Sequence, residues 1–233
     1  MEHQPDINST MFGILMDWLV EVGQEYDLKL QTLNLSKNYV ERFLSDKRVP
    51  RSELQLVGMA ATLIAAKYEE IYPPNVDDFV YISDSTYTRE QVIAMESLLL
   101  NSLKFDIVAP TCFDFLSRFL RAAEANSSVE NFALFLLELS FQECKFARFL
   151  PSKVATSIVV LSLHTFSFPF WSETLQFYTS YKIDDPDIVS CVNLLWSNAK
   201  EAHSSKLKAV AEKYANDKHG RASKKALKSS PPL

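Results

Sequence analysis

Glycine is nearly missing from this chain: Gly13, Gly23, Gly58 and Gly220 are the only four in 233 residues, where an ordinary protein uses about 7%. So few positions able to take a positive φ or admit a close ligand exclude glycine-rich phosphate loops, dinucleotide fingerprints and turn-dense β architectures. A mostly helical chain is left. Cysteine is scarce as well. Cys112, Cys144 and Cys191 are odd in number, far apart and without a C-x-x-C or companion-histidine spacing, which favours a reducing compartment over a disulfide framework or a zinc site. No apolar run reaches the ~18 residues of a membrane span, and MEHQPDINST has no basic segment followed by an apolar one, so neither a span nor a signal peptide is expected. The protein reads as intracellular, and the Asn-x-Ser/Thr triplets at Asn8, Asn34 and Asn126 carry no weight as glycosylation sites.

Catalytic groups are missing too. His3, His164, His203 and His219 show no metal spacing, and no serine sits in a G-x-S-x-G turn. His164, inside VVLSLHTF, reads as a core histidine. Glu69-Glu70, Asp77-Asp78 and Asp184-Asp185 read as solvated faces, because consecutive helical residues point ~100° apart and cannot readily share one site. The expectation is a protein with no catalytic residue, no metal and no cofactor, whose function resides in surfaces that bind other proteins.

Excess positive charge is absent from most of the chain. From Lys200 onward nine Lys/Arg stand against Glu201, Glu212 and Asp217, a balance of +6. With 24 basic and 29 acidic residues in all, residues 1–199 then hold 15 and 26, or −11. A groove for duplex nucleic acid needs the opposite sign, so the main body is not expected to bind DNA or RNA. The basic stretch RASKKALK (221–228), followed by SSPPL, reads as a solvated extension.

What the chain does have is helical periodicity. Ile14, Leu15, Trp18, Leu19 and Val22 recur at i, i+3/i+4 spacing and predict a helix from about Phe12 to Gln24. A second is predicted over Thr32–Leu44, ended by the charged stretch before Pro50. Ser52 and Gln55 could form a capping box ahead of LQLVGMAATLIAAKYEE, a helix apolar on nearly every face from Leu54 to Ala66 and so suited to a bundle centre. A short helix over Val76–Ser83 and another from a Thr88/Gln91 capping box through Leu103 complete five.

The pattern then recurs at an offset of 97. Val57 meets Val154, Ala61 Ile158, Leu63 Val160, Ile64 Leu161, Val92 Val189, Met95 Val192 and Leu98 Leu195, with Tyr81 and Ser83 echoed by Tyr178 and Ser180. One offset serving two helices and their loop favours a duplicated unit. The second set is predicted near Thr111–Ala125, Val129–Cys144, Pro151–Phe166, Ser172–Thr179 and Asp185–His203, the last with Asp185 as N-cap and Pro186 at the first helical position. The fold expected is all-α, as two tandem five-helix bundles.

MFGILMDWLVEV (11–22), LQLVG (54–58), AAKYEEIYPP (65–74) and YISDSTYT (81–88), in that order and spacing, resemble the cyclin box of S-phase and mitotic cyclins. Gln4-Pro5-Asp6-Ile7, Leu150-Pro151-Ser152 and Glu212-Lys213-Tyr214 are more similar to A-type than to B-type members. The resemblance covers about residues 4–220. It implies an N-terminal cyclin box over 1–107, a C-terminal box over 108–204 and a basic extension over 205–233. It also implies a non-enzymatic subunit, in nucleus and cytoplasm, that binds and activates a cyclin-dependent serine/threonine kinase.

Carried over residue by residue, the resemblance assigns Lys67 and Glu96 to a charged pair at the kinase interface, with Tyr68, Leu100, Phe105 and Ile107 as apolar positions around it. It assigns Met11, Ile14, Leu15, Trp18, Leu54 and Gln55 to a shallow patch for substrates and inhibitors bearing Arg-x-Leu-type segments, Glu21 to pairing with their basic residue, and Arg51 and Ile82 to its border. Phe12 stands where the family is usually basic, and if exposed would widen the patch. The residues taken alone leave these as unrelated surface charges and ordinary core positions. No R-x-x-L destruction segment lies upstream of the box. Arg51-Ser52-Glu53-Leu54 fits those letters only at the start of a core helix, and Met1 is too near Met11 for the helix that precedes the box in relatives. A B-type mitotic cyclin, a non-activating adaptor that docks peptides and a DNA-binding transcription factor of the same architecture are the alternatives.

Overall fold

The computed structural model of the protein describes residues 4–233; His3 lies outside the described residues, as do the first three positions of the expected 1–107 domain. Among the described residues all regular structure is helical, in a first unit ending at Thr111 and a second from Cys112 to Leu233.

The first unit holds α1 (Ser9–Glu25), α2 (Leu30–Asp46), α3 (Leu54–Glu69), α4 (Val76–Ile82) and α5 (Arg89–Ser102). Helix α3 is its centre, with Leu54 and every residue from Leu56 to Ala66 buried. Its neighbours approach closely. The hydroxyls of Ser36 on α2 and Thr62 on α3 lie 2.7 Å apart in the core, and Leu15 of α1 sits against Gly58, where a Cβ would come within 2.7 Å of Leu15 Cδ1. Phe12 does not face solvent. It is buried on the core stripe of α1 with Leu15, Leu19 and Val22, while Met11, Ile14, Trp18 and Glu21 follow the adjacent outer stripe, so Phe12 widens no surface patch. Gln4 plugs the end of α2, donating to the carbonyls of Leu44 and Lys47 and accepting from Val49 N–H at 3.0 Å.

Helix starts follow their caps. Thr88 and Gln91 form the expected reciprocal box, at 2.8 and 3.3 Å. The Ser52/Gln55 box does not form. Pro50 feeds a 3₁₀ turn over Arg51–Glu53 that runs straight into α3, Glu53 makes no side-chain cap, and the Ser52 carbonyl accepts Tyr87 Oη at 2.6 Å instead. The acidic neighbours are not simply solvated either. Glu70 Oε1 accepts from Lys29 N–H (2.7 Å) and Thr32 Oγ1 (2.5 Å) at the start of α2, Asp78 closes the α4 box by accepting from Asn75 N–H (2.7 Å), and Asp185 caps the helix that begins at Pro186. Each carboxylate satisfies N–H groups that have no intrahelical acceptor and sits at the positive end of a helix dipole. Asn8 and Asn126, two of the Asn-x-Ser/Thr residues, do the same for Met11 N–H (2.9 Å) and Val129 N–H (3.0 Å).

The second unit holds α6 (Cys112–Ala122), α7 (Ser127–Leu139), α8 (Pro151–Thr165), α9 (Glu173–Thr179), α10 (Pro186–Glu201) and the short α11 (Ala209–Lys213). Helix α8, buried without a break from Val154 to Leu163, is the central element. The offset of 97 carries the start of α3 onto that of α8, both ends of α4 onto both ends of α9, and the start of α5 onto that of α10. It carries the caps Asn75 and Thr88 onto Ser172 and Asp185 as well. Two pairs differ outright in burial, since Leu98 is exposed while Leu195 is buried, and Ser83 is buried while Ser180 is exposed. Helix α7 stops short of Cys144, because Ser140 Oγ bonds back to the Leu137 carbonyl (2.6 Å) and the chain passes into 3₁₀ turns.

Residues beyond 205 are partly packed on the second bundle rather than wholly solvated. Glu138 of α7, its side chain 1% exposed, accepts from Lys213 Nζ at 2.7 and 2.9 Å and from Tyr214 Oη at 2.7 Å. Burial, reinforced by the Glu138 charge, pushes the Tyr214 hydroxyl well above its ordinary range. Ser223 Oγ donates to the Ala211 carbonyl at 2.8 Å. Apolar and hydrogen-bonding positions interleaved with the lysines are what draw this basic stretch onto the bundle.

Candidate functional site

Lys67 lies in the last turn of α3 and Glu96 in the middle of α5, and the packing of these helices brings Lys67 Nζ to 2.5 Å from Glu96 Oε1. Glu96 is mostly covered, at 14% side-chain exposure, whereas Lys67 is 48% exposed. The ammonium can therefore donate further bonds outward while the carboxylate beneath offsets its charge.

Large apolar side chains flank the pair along the chain. Tyr68 is exposed next to Lys67, Leu100 is half-buried one turn after Glu96, and Phe105 is 64% exposed. Phe105 stands on a turn held from behind. Tyr39 Oη donates to the Ile107 carbonyl at 2.7 Å, Arg42 Nη1 donates to the Asp106 carbonyl at 2.8 Å, and Phe105 N–H bonds back to Leu100 at 3.0 Å. Lys104 and Phe105 both take positive φ, +54° and +57°. Such a conformation costs on the order of 1–2 kcal/mol per non-glycine residue, which these bonds hold in place. Ile107 itself is half-buried, and the backbone contribution of its carbonyl was not foreseeable from the sequence.

Two further apolar residues follow Tyr68 in the chain and were not assigned from the sequence. Ile71 and Tyr72 are 80% and 91% exposed on the segment leaving α3. The signal was present in AAKYEEIYPP, because Pro73-Pro74 forbids the helix from continuing and leaves the two preceding side chains without a core to join.

The nine expected docking residues divide. Ile14 and Glu21 are exposed and Met11 and Trp18 half-buried along the outer stripe of α1; Gln55 is half-buried on the first turn of α3, Arg51 is exposed, and Ile82 is half-buried at the end of α4. Leu15 and Leu54 are core residues and offer no surface. Gly58 was read only as part of a motif, yet it sets how closely α1 and α3 approach, and with that the position of the outer stripe. His164, expected in the core, is half-buried at the end of α8, where burial holds its imidazole below the usual range.

Comparison with known proteins bears on both units. Residues 1–108 match the family described as "Cyclin, N-terminal domain" and residues 110–227 the one described as "Cyclin, C-terminal domain". The chain is 47% identical over 223 residues to "G2/mitotic-specific cyclin-A" of Hydra viridissima, covering 94% of this chain and 53% of that protein. It is 46% identical over 220 residues to "Cyclin-A2" of Xenopus laevis, covering 94% and 52%. "G2/mitotic-specific cyclin S13-7" of Glycine max is 42% identical over 221 residues, covering 94% and 85%. The chain thus spans about half the length of the curated cyclin-A relatives it matches. Among solved structures, a viral cyclin from herpesvirus saimiri superposes with a TM-score of 0.75 at 21% identity, over 86% of this chain and 89% of that one. The CAK complex of Chaetomium thermophilum bound to ATP-gamma-S gives 0.60 at 15% identity, over 96% and 74%. At those identities the likeness is one of fold.

Proposed function

This chain belongs to the cyclin family, as a member of A type, and from that premise we propose that it binds and activates a cyclin-dependent serine/threonine kinase. The observation that carries the proposal is the Lys67–Glu96 pair flanked by exposed Tyr68, Ile71, Tyr72 and Phe105. Apolar side chains of that size left in water mark a surface that another protein covers. Once covered, Lys67 donates to exposed backbone carbonyls of the kinase's regulatory helix while Glu96 compensates its burial. Held so, the regulatory helix and activation segment bring the kinase's own lysine–glutamate pair and phosphate-binding groups into register, and the chemistry stays with the kinase.

The outer stripe of α1, with Met11, Ile14 and Trp18, and Gln55 on α3 dock substrates and inhibitors through an Arg-x-Leu-type segment, its basic residue directed to the exposed carboxylate of Glu21. Leu15 and Leu54 support that surface from beneath. The complex works in nucleus and cytoplasm, where imaging of a fluorescent fusion would locate it. Co-purification with a cyclin-dependent kinase, followed by a phosphorylation assay, tests the function: a stoichiometric complex and stimulated activity are expected, and the absence of both overturns the proposal.

A further inference from the structure

The internal repeat allows the candidate face of the first unit to be compared position by position with the second. The offset of 97 carries Lys67 to His164 on α8, and carries Met95, Glu96 and Leu99 to Val192, Asn193 and Trp196 on α10. In the first unit Lys67 is half exposed at this place, above the buried Met95 and Leu99. In the second it carries residues of the chain's own C-terminal segment. The Lys228 carbonyl accepts from Trp196 Nε1 at 3.2 Å, and the Ser230 carbonyl lies 3.3 Å from His164 Nε2, which must be the donor because a carbonyl only accepts. Leu233 packs with Phe170, Trp171, Tyr181 and Ile183 on the buried cluster of Val160, Ile188 and Val192.

The segment suits a groove. Pro231 and Pro232 present carbonyls but no N–H, and their fixed φ keeps the chain extended at small entropic cost. Its four other residues after Leu227, Lys228, Ser229, Ser230 and Leu233, include one apolar anchor, and that anchor is the residue seated on the cluster.

We infer that residues 227–233 are an intramolecular strap lying in an apolar peptide-binding groove of the second unit, the internal counterpart of the first unit's candidate kinase face, and that the groove takes up a separate copy of the same segment when the strap is withdrawn. The strap's contacts all lie within the second unit and hold whether or not the kinase reading does; only the likeness to the first unit's face rests on that reading.

The test uses the full chain and a fluorescent peptide spanning Ala226–Leu233. In the unaltered chain the strap competes from the same molecule, at an effective concentration in the millimolar range. The Leu233→Asp chain loses that competitor, so the peptide is expected to bind it saturably and at least about tenfold more tightly than it binds the unaltered chain. The amides of Lys228, Ser229 and Ser230 should also exchange faster in that variant. Peptide binding to neither chain, or equally to both, overturns the inference. If Leu233→Asp does not melt cooperatively, Leu233→Ala replaces it, and unchanged amide exchange at 228–230 in that variant overturns the inference equally.

Discussion

At the scale of single residues, free and bound states weigh the Lys67–Glu96 pair differently. In the free chain Lys67 is half in water, and an ion pair of that kind contributes only about 0–1 kcal/mol. Under a protein partner, losing one member of a buried pair costs about 3–5 kcal/mol. Glu96→Lys sets a second ammonium beside Lys67, so it should lower the melting temperature modestly while weakening kinase binding on the order of a hundredfold or more by calorimetric titration. Unchanged affinity would remove the pair from the interface. Tyr39 acts one step behind. Burial pushes its hydroxyl up to about 12, so it stays neutral and bonded to the Ile107 carbonyl. Because its folded value lies above the unfolded one near 10, the stability it contributes is complete below that pH and lost as pH rises toward 12. Tyr39→Phe should cost about 1 kcal/mol at pH 7 and make the alkaline loss of stability shallower, as thermal melts over pH 9–12 would show.

At the scale of elements, α1 meets α3 tightly at Gly58. Gly58→Ala gains roughly 0.5–1 kcal/mol of helix propensity but drives a methyl into Leu15, and overpacking of that kind costs about 1–3 kcal/mol. The net expectation is a destabilised chain. With Leu15→Ala in place the same change should become stabilising, and a double-mutant cycle without that reversal of sign refutes the contact. In the second unit, Lys153 Nζ lies 3.1 Å from Asp185 and 2.7 Å from Asp187. Burial works to raise the Asp185 carboxyl, but the bonds from Lys153 and from the N–H groups of Asp187 and Ile188 outweigh it and hold the group below its usual value near 3.8. Its contribution is present above that value and lost as the pH falls through the lower folded one. Asp185→Asn should therefore lower the melting temperature at pH 7 and lessen its fall between pH 5 and 2.

Much at this scale was legible beforehand. Periodicity marked the ten principal helices, and the central position of α3 and α8 followed from side chains apolar on every face. Pro186 and Thr88 announced their helix starts because a fixed φ and a hydroxyl act locally. The Ser52/Gln55 box failed where a tertiary bond from Tyr87 claimed the same backbone, and Glu70 served as a cap for a helix some forty residues earlier, which no local pattern encodes. Of the candidate site, Lys67 and Glu96 came from the resemblance to the cyclin box, since residue types and spacing alone leave them as unrelated surface charges. The turn that displays Phe105 depends on Tyr39 and Arg42 from α2, and that link became visible only with the fold.

At the scale of the whole molecule, two units of one plan carry different surfaces. The first 199 residues hold a charge of −11 and the remainder +6, so the main body repels phosphate backbones and is complementary to basic segments. That complementarity suits docking of an Arg-x-Leu-type segment on the outer stripe of α1. Trp18→Ala should reduce phosphorylation of substrates bearing the segment several-fold while sparing short peptides that lack it, as paired kinase assays would measure. Equal losses for both classes would trace the defect to folding instead.

The Glu138 carboxylate deep in α7 receives its counter-charge from a lysine 75 positions later. A ribosome that has released α7 has therefore made a helix with an anion and no cation to meet it. A chain ending before Lys213 leaves that carboxylate without its cation, so the second bundle is expected to lose stability when those residues are missing.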